Sequence, residues 1–114
     1  MIRAVMTRRP DGRLTGYELK GHSGYAEAGS DIVCAGVSVL GCTCVNSLES
    51  LLGVKATLKA NEDGLLDFEL PEVPEESRAG VQLLMGALGQ GLSDLQEAYP
   101  KYVKCEIKER RKKP

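Results

Sequence analysis

The sequence predicts an α+β fold: a two-layer sandwich of order ββαββαβ, with two helices on one face of a mostly antiparallel five-stranded sheet. Apolar residues alternate with period two near the N-terminus, and the period lengthens to that of a helix over 32–52 and again over 75–98. Turn-forming residues punctuate the segments between them. At 114 residues the chain suits one modest core. It is read as a single domain over 1–108 with a basic tail over 109–114.

Ile2, Ala4 and Met6 alternate with Arg3, Val5 and Thr7, the pattern of a half-buried strand. Pro10-Asp11-Gly12 marks a turn, and a second strand carrying Leu14, Gly16 (weakly) and Leu19 ends near Gly21, completing a hairpin. Over 32–52, Cys34, Ser38, Gly41, Val45, Leu48 and Leu52 fall on one helical face, widened by Val33, Val37, Leu40 and Leu51. Ser30 or Asp31 can cap the start and Gly53 stops the helix. So apolar a helix is expected to be largely buried.

Strands over 54–60 and 65–70 flank Asn61-Glu62-Asp63-Gly64, read as a four-residue hairpin connection. Pro71 and Pro74 break the chain before a second helix over 75–98, with Val81, Leu84, Met85, Leu88, Leu92 and Leu95 on one face. Gly80, Gly86, Gly89 and Gly91 each cost about 1 kcal/mol against Ala in a helix interior. Close approach of a neighbouring backbone is the expected compensation, and Gly86 with Gly89 marks a surface for a second copy. Pro100 ends the helix, and Tyr102, Val103, Cys105 and Ile107 form the last strand.

Composition excludes several functions. Four Tyr, one Phe and no Trp are too few rings for a base-stacking platform. The net charge of −1 hides an acidic stretch over 62–76 and a tail with Lys108, Arg110, Arg111, Lys112 and Lys113 against Glu109. The tail reads as a solvated terminus, so direct nucleic-acid binding is disfavoured. MIRAVMTRRP has no long apolar run, and no stretch is read as approaching the ~18 apolar residues of a spanning helix. A cytoplasmic protein without membrane contact is expected. Cys34, Cys42, Cys44 and Cys105 lack paired C-x-x-C spacing, and Cys42 and Cys44 point to opposite sides of a helix, so neither metal nor cofactor is expected.

Chemistry concentrates in GHSGYAEAGSDIVCAGVS, from Gly21 to Ser38, which holds the only histidine. Cys34 falls in the first turn of the first helix, where unpaired N–H groups and the positive dipole end favour a thiolate. His22 lies at the head of a loop that can return it to that thiol, as a base and later an acid. Backbone N–H groups around Cys34 can hold a developing oxyanion. Asp31 reads either as a helix cap or as an orienter of His22.

The same block resembles the signature of the bacterial ribosomal-processing cysteine protease family, Prp. Its most specific elements are Gly21-His22, Gly29 and DIVCAGVS at 31–38, and the resemblance continues through VNSLESLLG to the last strand. Ser23 and Gly36 stand where the family commonly has alanine, and Cys42 and Cys44 are additional thiols. The resemblance implies His22 as general base, Cys34 as nucleophile, and a dimerising α+β sandwich. It also implies a substrate: the N-terminal extension of the twenty-seventh large-subunit ribosomal protein, cut after an aromatic residue. Gly21, Gly24 and Gly29 would let the loop carry His22 open and closed over the site.

Two other readings compete. A non-catalytic ribosome-associated module would leave Cys34 replaceable. A thiol redox protein would need Cys42 to resolve Cys34, but two helical turns separate them by roughly 12 Å, beyond the ~7 Å reach of a disulfide.

Overall fold

β1 (Ile2–Arg8) and β2 (Leu14–Lys20) pair antiparallel across a turn that Asp11 organises, its carboxylate accepting from the Arg13 backbone N–H and Nε, each at 2.9 Å. The backbone N–H of Arg13 is the main cause that holds the Asp11 carboxyl below its ordinary range. The computed structural model describes residues 1–21, 31–62 and 65–109. After β2 come α1 (Ile32–Leu52), β3 (Thr57–Glu62), β4 (Leu65–Glu69), α2 (Glu75–Ala98) and β5 (Val103–Glu109). The sheet order is β3-β4-β2-β1-β5, antiparallel throughout except where β5 runs parallel to β1. The fold is the expected α+β sandwich. β5 runs one residue into the stretch expected as tail, and residues 110–114 lie outside the described ones.

Strand alternation gives the sheet one apolar face. Ile107, Met6, Tyr17, Phe68 and Leu58 lie opposite one another in a row across all five strands, and Cys105, Ala4, Leu19 and Leu66 form the next. Tyr17 and Phe68 are buried at the centre with ring centroids 5.6 Å apart, a tilted pair of the kind aromatic quadrupoles favour. Leu14 and Leu19 have opposite strand phases, and the register shift between Thr7 and Arg8 reconciles them by leaving Thr15 as the extra residue. Gln82 of α2 then clamps Leu14 from above, accepting from its N–H and donating to its carbonyl, both at 2.8 Å.

Both helices lie on this face. α1 ends in a paired C-terminal cap: Gly53, in the left-handed region at φ 68°, donates to the Glu49 carbonyl and Val54 donates to that of Leu48. α2 starts at Pro74 with no side-chain cap, and Glu75 and Glu76 complement its positive end. The helices run antiparallel and interlock through glycines. Leu40 of α1 fills the space at Gly91, Leu52 that at Gly80, and Leu95 of α2 that at Gly36. Beneath them Gly41 rests on Tyr17 and Leu66, and Gly89 meets the Met6 sulfur.

Several expectations are corrected. α1 buries Val33, Val37, Gly41, Cys44 and Leu48, a face rotated from the one read in the sequence, with Cys34, Val45 and Leu52 at its margin and Ser38 exposed. The helix is not largely buried: Ile32, Val39 and Leu51 are 59%, 63% and 70% exposed. The α2 glycines receive side chains of this chain, and only Gly86 has open space, so Gly89 offers nothing to a second copy. β3 continues through Glu62, which shortens the hairpin connection to Asp63-Gly64, outside the described residues. Among the described residues α1 is also long and apolar enough to cross a membrane by length and composition, contrary to expectation. Its Val33–Leu48 face is packed in the core.

Two changes test this packing. A Cβ at Gly41 would sit 2.8 Å from Leu66 Cδ2 and 3.0 Å from Tyr17 Cε2, so Gly41→Ala should lower unfolding free energy by about 1–3 kcal/mol in urea titration. The Tyr17 hydroxyl is buried without a hydrogen-bond partner among the described residues, and burial pushes its pKa well above the ordinary tyrosine value. Tyr17→Phe should therefore raise stability by about 1 kcal/mol in the same titration.

Candidate active site

Asp31 is the only buried charged residue described, and its position explains why. It is the N-cap of α1, in extended conformation, and its Oδ1 accepts from the backbone N–H groups of Val33 at 3.0 Å and Cys34 at 2.9 Å. Its carbonyl accepts from Ala35 at 3.1 Å. The first turn of α1, which otherwise ends in unpaired donors, is thereby organised around one carboxylate. Cys34 sits in that turn, half-buried, two to three residues past the cap.

This cap alters the expected oxyanion site. The N–H groups of Val33 and Cys34 are committed to Asp31, so an oxyanion formed on a substrate at Cys34 has to displace the carboxylate or take other donors. The positive helix end reaches Cys34 partly offset by the Asp31 charge.

Gly21 shows why the chain enters the loop as it does. Its φ is 93°, a left-handed value, and a Cβ there would lie 2.7 Å from the Met1 carbonyl oxygen. Only glycine meets both conditions. Gly21 is therefore fixed by the close passage of the N-terminus. His22, Gly24, Gly29 and Ser30 lie outside the described residues.

The other thiols have different surroundings. Cys44 is buried between the helices, with its Sγ 3.7 Å from the Leu84 carbonyl oxygen and 3.8 Å from Met85 Sδ. Burial pushes the Cys44 thiol up to about 11. Cys105 donates to the Leu92 carbonyl at 3.3 Å, and burial raises it as well. Its backbone N–H donates to Gln96 Oε1 at 2.6 Å. Cys42 is half-buried on α1. Among the described residues no group of His, Cys, Asp and Glu is arranged to hold a metal ion. Sequence reasoning missed the burial of Tyr17 and the Gln82 and Gln96 clamps; glutamine carries no periodicity that would flag them.

Two measurements follow from this geometry. Asp31→Ala should destabilise the protein by about 0.5–2 kcal/mol while Asp31→Asn costs little, because an amide oxygen caps nearly as well; thermal unfolding of both checks it. In iodoacetamide labelling near pH 8, read by peptide mass spectrometry, Cys44 and Cys105 should react more slowly than Cys34. Alkylation needs the thiolate, and a thiol at about 11 holds about a hundredfold less of it than one at 9.

Comparison with known proteins gives these features a family. A model of the family described as cysteine protease Prp matches residues 1–104. The ribosomal processing cysteine protease Prp of Bacillus subtilis (strain 168) is 36% identical over 101 residues, covering 87% of this chain and 90% of that protein. SMU.848 from Streptococcus mutans, a solved structure, superposes with a TM-score of 0.82 at 38% identity, covering 96% of each chain. The essential ribosomal processing protease Prp from S. aureus, solved with a covalently linked product peptide, shares the fold with a TM-score of 0.85 at 24% identity, over 95% of this chain and all of that one. With the family match running from the first strand into the last, the chain belongs to the Prp family of cysteine proteases, which act in ribosomal protein processing.

Proposed function

We propose that this chain removes the N-terminal extension of the twenty-seventh large-subunit ribosomal protein, cutting after an aromatic residue, with Cys34 as nucleophile and His22 as base. The observation that carries the reading is the placement of Cys34 in the capped first turn of α1, within a chain that matches the Prp family over residues 1–104. The S. aureus relative has been solved with a substrate peptide as well as with a covalently linked product peptide.

In this mechanism His22 takes the Cys34 thiol proton and the sulfur attacks the scissile carbonyl carbon. The resulting tetrahedral oxyanion collapses and breaks the C–N bond, and the imidazolium returns the proton to the departing amine. Water then attacks the thioester with His22 as base, releasing the extension as a carboxylic acid and restoring the thiol. Asp31 supports this by fixing the first turn of α1, and so the place of the sulfur. The reading extends to a homodimer working in the cytoplasm as one catalytic domain over 1–108. The exposed Ile32 and Val39 on α1 and Leu83 on α2, 75% exposed, support a second copy.

The test is mass spectrometry of the ribosomal protein precursor after incubation with wild-type and variant chains. Cys34→Ala should abolish cleavage while remaining folded, and His22→Ala should slow it by ~10²–10⁴-fold. A folded Cys34→Ala protein that cuts at the wild-type rate would overturn the mechanism and favour the non-catalytic module. Sedimentation at micromolar concentration should show a dimer; a monomer alone would remove that part of the reading.

A further inference from the structure

β3 forms one edge of the sheet, and among the described residues it pairs only with β4. Its outer backbone groups are therefore open to a further strand. Leu58, the β3 end of the cross-sheet row through Phe68 and Tyr17, is 48% exposed although Phe68 beside it is fully buried. A groove of about 190 Å³ lies between this strand and α1, lined by Val45, Glu49 and Ser50 on the helix and Lys55, Ala56 and Leu58 on the other wall.

The groove is continuous with the site. Cys34, Ser38, Cys42, Val45 and Glu49 follow one another at spacings of four, four, three and four, which places them on one side of α1. That side faces away from α2, whose contacts fall on Gly36, Leu40 and Cys44. Asn61 pairs with Leu66, whose Cδ2 lies against Gly41. β3 thus runs back beside α1 from the groove toward the end that carries Cys34. Val45 lies ~16 Å along the axis from Cys34, a span of about five extended residues at ~3.3 Å each.

We infer that this trench holds the extended part of the substrate, which adds to β3 as a sixth strand and sets side chains against Val45, Ala56 and Leu58. The inference rests on the protease reading above and names where that substrate is gripped. A helix beside an open strand edge suits an extended peptide: main-chain hydrogen bonds supply affinity and alternate side chains meet the helix wall. Glu49 and Lys55 at the groove place both signs of charge there, matching a segment that is apolar with scattered polar residues.

Kinetics with peptides of two lengths test it, one with about eight residues on each side of an aromatic cleavage site and one with about two, too short to reach the groove. Ser50→Trp fills the groove from an exposed helix position, and Leu58→Glu puts a charge at its floor. Each should raise KM for the long peptide about tenfold with kcat little changed, the mark of lost uniform binding. Neither should alter cleavage of the short peptide. Backbone N-methylation of the long peptide within the span should weaken it similarly. Unchanged kinetics in both variants, or equal losses on both peptides, would overturn the groove and leave the protease reading standing. Amide exchange on Cys34→Ala with the long peptide reads the groove without catalysis: slowed exchange in β3 supports it, and unchanged exchange there overturns it. An absence of Cys34-dependent cleavage by the wild type would instead overturn the protease reading.

Discussion

The interlock of leucines and glycines between α1 and α2 is the constraint from which the rest of the architecture follows. Leu40 over Gly91, Leu52 over Gly80 and Leu95 over Gly36 fix the helices in register along their whole length. Gly41 on Tyr17 and Leu66, with Gly89 on Met6, then fixes both to the sheet. Close packing of this kind leaves few alternative arrangements. The rotation of α1 about its axis is set by it, and so is the direction in which Cys34 and the groove side of the helix point.

At the N-terminus of α1 a second constraint operates on a smaller scale. Asp31 satisfies donors that would otherwise be unpaired, and in doing so places a negative charge beside the residue whose reactive form is an anion. Stability of the helix end and reactivity of the thiol pull on the same carboxylate. The family chemistry is thus carried on a turn held tightly by its backbone, with a balance of charge that a bound substrate is able to alter.

The order and type of every element were legible in the sequence, because alternating strands, helical periods and Pro/Gly punctuation agreed with one another. The rotational phase of α1 was not. Its residues are apolar or small almost all round, so periodicity offers several faces and the choice falls to Gly41, the one position where Tyr17 and Leu66 need the space. Nor did the sequence show what the α2 glycines receive, since a glycine looks the same whether it admits a leucine of its own chain or a partner. The bulge that brings Leu14 into the core and the parallel partner of β5 are both products of long-range pairing. At the site, Asp31 and Cys34 carried the local signature of a helix start, whereas the link between His22 and Cys34 came from family resemblance, spacing alone being a weak guide.

The parallel pairing of β5 with β1 has a consequence for synthesis. The first strand to leave the ribosome waits for the last, from Ile2 against Val103 to Arg8 against Glu109. Until the C-terminus is released, β1 presents an open edge, and α2, whose carbonyls take up the Cys44 and Cys105 thiols, has no β5 to pack on. Non-local pairings of this separation close slowly, because the entropy of the intervening loop is lost before the contacts form. The sheet, and with it the seat of α1, is completed only after translation ends, so a truncated or stalled chain carries the nucleophile without the framework that aims it.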